Sequence, residues 1–211
     1  SGVDGTKDLI PQVDLGGNHG ARIKIADAAG GLLTTAITDE SDTFKVKGVL
    51  GLDQDTLDVL AAGLVAGSTP DITWTRKGRV ASINVKYASN GTVFSGNIVT
   101  GLGFLDPTAD TQRTASWSVP KDAALATTYK IMAEDANYLA VNGGTPYITP
   151  SAFKVKGAIA VTDPTSPITW SISDMKTISW NVTSGNIQNV KIYLSPSGSF
   201  TDAYEIDPAA K

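Results

Sequence analysis

The chain contains no cysteine, one histidine and two methionines in 211 residues. Without cysteine there is no disulfide, thiol nucleophile, thiolate metal site or redox switch, so stability must come from packing and hydrogen bonds. The one histidine, His19, sits in the turn Gly16-Gly17-Asn18-His19-Gly20 with no nucleophile beside it, which favours a solvated side chain over a catalyst or a histidine metal site. Charged residues make up 18% of the chain, below the roughly 25% of an average globular protein. The net charge is −4, so there is no basic footprint for nucleic acid or an anionic membrane. No apolar run approaches the roughly 20 residues of a spanning helix, which excludes helical membrane insertion. Ser1-Gly2 resembles neither a signal peptide nor a natural start, so the expectation is a processed product or an excerpt of a longer chain.

Apolar residues (41%), Gly, Thr, Ser and Asn fill the space, a composition of short strands and many turns. One pentapeptide occurs twice, letter for letter: Phe44-Lys45-Val46-Lys47-Gly48 and Phe153-Lys154-Val155-Lys156-Gly157, 109 residues apart (153 minus 44). In each copy Phe and Val alternate with Lys, so a strand there buries one face, sends two ammonium groups to water and stops at Gly. Neighbouring landmarks match in the same order. Lys24-Ile25 matches Lys130-Ile131, Ile72-Thr73-Trp74 matches Ile168-Thr169-Trp170, and Asn84-Val85-Lys86 matches Asn189-Val190-Lys191. The expectation is an all-β tandem array of about 100–110 residues per repeat.

One stretch has helical spacing. Leu57, Leu60, Ala61, Leu64 and Val65 follow Asp55 or Thr56 as caps, predicting a short helical insert near 55–66. Alternation predicts strands at Ile72-Thr73-Trp74-Thr75, Ile83-Asn84-Val85-Lys86-Tyr87, Val93-Phe94 and Ile98-Val99, with a hairpin turn at Ser89-Asn90-Gly91. Residues 32–37 are read as a further apolar strand, 105–107 as the close of the first block, matched by Ile206-Asp207-Pro208, and 138–141 as part of the lead into the second pentapeptide. Trp74, Trp117, Trp170 and Trp180 recur at matching strand positions, which marks them as core rather than as a sugar-stacking platform.

These motifs resemble the immunoglobulin-like tandem repeats of large bacterial cell-surface proteins, and more distantly the β domain of fungal cell-wall assembly and Ser/Thr-rich surface proteins. The resemblance rests on Ile168-Thr169-Trp170, Ile178-Ser179-Trp180, Val190-Lys191-Ile192-Tyr193-Leu194-Ser195, Ser116-Trp117-Ser118-Val119-Pro120 and the second pentapeptide. It implies tandem immunoglobulin-like β-sandwiches in which the Phe-Lys-Val-Lys-Gly strand closes its domain. Boundaries then fall at 1–47 (closing strands), 48–157 (a complete domain) and 158–211 (opening strands, completed by a neighbouring chain or by 1–47). An unfinished sandwich leaves an apolar face and a strand edge open, which a total stability of roughly 5–15 kcal/mol cannot carry.

The expected function is therefore a non-enzymatic extracellular structural repeat at the cell surface, forming a stalk, filament or surface-layer element. Its partner would be itself, in a head-to-tail homopolymer, or the continuing chain. Phe44, Val46, Phe153 and Val155 are the residues expected to lock successive strands. The alternative is a carbohydrate-binding or adhesin module with surface glycans as partners. No catalytic, cofactor or metal residues are assigned. Asp53, Gln54, Asp55 and Asp58, and Asp39, Glu40 and Asp42, offer oxygen donors of the kind calcium takes, but without EF-hand spacing caps and solvated turns explain them better.

Overall fold

The computed structural model describes residues 5–7, 21–26, 38–44, 48–78, 80–103, 112–137, 146–165 and 168–206. The first described elements form a small ribbon. Strand β1 (Lys24–Ala26) pairs antiparallel with β2 (Thr38–Glu40), setting Lys24 opposite Glu40 and Ala26 opposite Thr38. Ala21 and Phe44 extend it by exchanging backbone hydrogen bonds of 2.7 and 2.9 Å.

A sandwich follows, built from alternating apolar positions. β3 (Val49–Leu52), β5 (Asp71–Lys77) and β8 (Gln112–Ser116) form an antiparallel sheet in the order β3-β5-β8. Opposite it lie β4 (Leu64–Val65), β6 (Ser82–Ala88), β7 (Gly96–Gly103), β9 (Ala126–Asp135) and β11 (Phe153–Lys156), ordered β4-β11-β9-β6-β7, with β10 (Tyr147–Ile148) also on β9. Along β5, Ile72, Trp74 and Arg76 point inward while the residues between them are half-buried. Along β11, Phe153 and Val155 point inward and Lys154 and Lys156 outward, which is the face separation the alternation predicted. The two sheets enclose one cluster including Leu52, Ile72, Trp74, Val85, Trp117, Tyr129, Ile131 and Phe153. Among the described residues, every buried side chain lies between Leu50 and Val155.

The helix α1 (Gln54–Ala62) carries the chain from one sheet to the other. Its cap is Asp53, whose Oδ1 accepts from the Thr56 backbone N–H at 2.9 Å, rather than Asp55 or Thr56. Thr56 is buried, and its Oγ1 accepts from the Thr73 N–H at 3.0 Å, tying the helix to β5. The helix is shorter than its periodicity predicted. Gly63 takes φ +87° and donates to the Leu60 carbonyl, and Leu64 and Val65 then pair in parallel with Val155 and Lys156 of β11. Tertiary pairing thus claims the last two residues of the helical pattern. Val93 and Phe94 likewise form no strand. The Asn90 side chain accepts from the N–H groups of Thr92 and Val93, and pairing resumes only at Gly96.

After the sandwich come two two-stranded ribbons. β12 (Ala158–Asp163) pairs with β13 (Ser179–Ser184), and β14 (Ile192–Leu194) with β15 (Tyr204–Ile206). Ile168, Thr169 and Trp170, expected to form a strand, lie outside any strand in an exposed stretch. Trp170 is 41% exposed and Trp180 half-buried, so in this chain neither sits in a closed core as Trp74 and Trp117 do. The physical reason is that, among the described residues, no second sheet covers them.

Candidate assembly groove

The β12–β13 and β14–β15 ribbons line an open apolar groove of about 590 Å³. Ile159, Val161, Ile178 and Trp180 line one side, and Val190, Ile192 and Phe200 the other. These residues have counterparts in the sandwich. The β12–β13 ladder sets Val161 opposite Trp180, as the β3–β5 ladder sets Leu52 opposite Trp74. Trp180, not Trp170, therefore stands where Trp74 stands, and Ile178 takes the place of Ile72. This differs from the match of Trp74 with Trp170 expected from sequence, because Ile-Thr-Trp and Ile-Ser-Trp look alike and only strand pairing separates them.

The second ribbon extends the parallel. Asn189-Val190-Lys191 leads into β14 as Asn84-Val85-Lys86 leads along β6, and β14 pairs with β15 as β6 pairs with β7. Trp74, Ile72 and Val85 are fully buried, whereas their counterparts face an open groove. Among the described residues β14 pairs only with β15, so its other edge is free.

The amino-terminal ribbon carries the remaining part. β1 receives β2 and the Ala21–Phe44 bridge along one edge, as β9 receives β10 and β11 along one edge. The Ala21–Phe44 bridge answers to the pairing of Tyr129 with Phe153, and the Ser41 hydroxyl accepts from the Ile23 N–H as the Thr149 hydroxyl accepts from that of Ile131, so Ile23 and Ile25 stand where β9 has Ile131 and Ala133, two fully buried residues. Ile23 and Ile25 are 43% and 73% exposed. Phe44 is half-buried and outside the core, whereas Phe153 and Val155 lie inside it. The ring of Phe153 meets Trp117 edge-on at 6.3 Å and Tyr129 at 5.9 Å. Val46, His19 and residues 32–37, 105–107 and 138–141 lie outside the described residues.

A seam joins the sandwich to the carboxy-terminal ribbons. The Gly185 N–H donates to the Lys121 carbonyl at 2.7 Å, and a Cβ on Gly185 would lie 2.7 Å from both the Gly157 Cα and the Leu125 Cδ2. Gly185 also holds φ +79°, so it meets two demands that only glycine satisfies together. Neither glycine was singled out as a pair in the sequence, since their contact is non-local.

Polar groups around the groove have defined roles. The Lys191 Nζ donates to Glu205 at 3.0 Å, and this hydrogen bond with the carboxylate charge raises the lysine pKa. The Asp202 carboxylate accepts from the Ser195 hydroxyl at 2.8 Å and the Ser197 N–H at 3.2 Å, which lowers its pKa and fixes the turn between β14 and β15. Three of the acidic residues offering oxygen donors for calcium have protein partners: Glu40 pairs with Arg22 at 2.9 Å, Asp53 caps α1, and Asp58 accepts from Gln54 at 2.8 Å. Among the described residues no group of three or more His, Cys, Asp or Glu is placed to hold a metal, and no helix is long and apolar enough to cross a membrane. No protein-family model, curated protein or solved structure matches the chain.

Proposed function

We propose that this protein is an extracellular structural repeat, an array of immunoglobulin-like sandwiches that forms a stalk, filament or surface-layer element by head-to-tail β-strand completion. The observation that carries the reading is complementarity. The 158–206 ribbons reproduce the pairings of β3 with β5 and of β6 with β7, and the 21–44 ribbon reproduces those of β9 with β10 and β11. Each supplies what the other leaves open, and a heterologous contact of this kind propagates into a fibre. Light scattering and electron microscopy of the full chain test it. Elongated particles that grow with concentration are expected, and a monodisperse monomer at every concentration would refute it.

A second reading, a carbohydrate-binding or adhesin module, draws on Trp180 lining an open groove. Quenching of tryptophan fluorescence by oligosaccharides, without self-association, would favour it.

A further inference from the structure

We infer that the groove between the β12–β13 and β14–β15 ribbons seats the 21–44 ribbon of a second copy of this chain, with β1 laid antiparallel along the free edge of β14. This rests on the assembly reading above and adds the occupant and its register. The sandwich supplies the template. β6 pairs with β9 so that Tyr87 stands opposite Ile131 and Ala88 opposite Lys130. Carried onto the counterparts, Ile23 stands opposite Ile192 and Arg22 opposite Tyr193. The faces agree with this seat. Ile23 and Ile25 occupy the places of Ile131 and Ala133, which lie in the closed core, and both are exposed on the free ribbon. The groove they would enter is lined by Val161, Trp180, Val190 and Ile192, whose counterparts Leu52, Trp74, Val85 and Tyr87 all pack in or against that core. A one-residue slip would turn Ile23 and Ile25 to the outside, so the hydrophobic pattern fixes the register.

The lack of cysteine makes the seat directly testable. Two single variants, Arg22→Cys and Tyr193→Cys, are mixed under mild oxidation and run on a non-reducing gel, with Thr38→Cys replacing Arg22→Cys as control. Directly opposed antiparallel residues lie within disulfide range. The seated pair should cross-link roughly a hundredfold faster than the control, because the seat holds its two thiols within disulfide range while Thr38, on the far strand of the ribbon, is kept out of reach. Light scattering of the same samples separates the outcomes. An Arg22–Tyr193 dimer without a Thr38 dimer supports the proposal. Self-association with no preference for the Arg22 variant overturns the seat and leaves the assembly reading standing, whereas no self-association removes both. A chain carrying both cysteines that closes only on itself overturns the second copy as occupant.

Discussion

The two identical pentapeptides should respond in opposite ways to the same substitution. Phe153→Ala removes a ring that is 4% exposed and packed against Trp117 and Tyr129 at 6.3 and 5.9 Å. Truncating a buried Phe to Ala costs about 3–5 kcal/mol, of which each aromatic pair accounts for about 0.5–1.5. Against a domain stability of roughly 5–15 kcal/mol, this is a large fraction. With a urea slope near 2 kcal/mol/M, the unfolding midpoint should fall by about 2 M. Phe44→Ala alters a half-buried residue outside the core, so the midpoint should move by no more than the roughly 0.5 kcal/mol of a surface change. Its cost should fall on self-association instead. The assay is urea unfolding of dilute protein followed by tryptophan fluorescence, which reports on buried Trp74 and Trp117, beside light scattering of concentrated protein. Equal midpoint losses in the two variants, or a silent Phe153→Ala, would refute the distinction between a closed and an open copy.

Other perturbations follow from single contacts. Gly185→Val places a β-branched residue at φ +79° with its Cβ 2.7 Å from Gly157, at a backbone cost of about 1–2 kcal/mol before the clash; limited proteolysis should then cut the 158–206 segment faster while the sandwich core stays resistant. Asp53→Ala removes the oxygen that caps α1 and should cost about 1 kcal/mol, lowering Tm by about 4–8 °C in a calorimetric scan. Burial, with Tyr87 beside it, raises the Tyr129 hydroxyl above the usual value of 10.0, and that hydroxyl donates to the Ala124 carbonyl at 2.9 Å. Because the folded value lies above the unfolded one, this contribution is complete below pH 10 and is lost as pH rises through the folded value. Alkaline titration should therefore show late tyrosinate absorbance appearing together with loss of near-UV circular dichroism. All six tyrosines ionising near 10 with that signal intact would contradict the burial.

The sequence by itself determined the local chemistry. Alternation at Ile72-Thr73-Trp74 and Phe153-Lys154-Val155 marked which side chains turn inward, because strand side chains alternate faces whatever the partner. The spacing of Leu57, Leu60 and Ala61 marked a helix for the same local reason. Only the tertiary structure decided where that helix stops, since Leu64 and Val65 gain more from pairing with β11 than from another helical turn. It also decided that Trp180 rather than Trp170 matches Trp74, because register is set by the strand across the sheet and not by neighbours along the chain. Above all it separated two identical five-residue stretches into a buried Phe153 and a half-open Phe44. Burial belongs to what packs over a residue, and over Phe153 the chain folds its own second sheet.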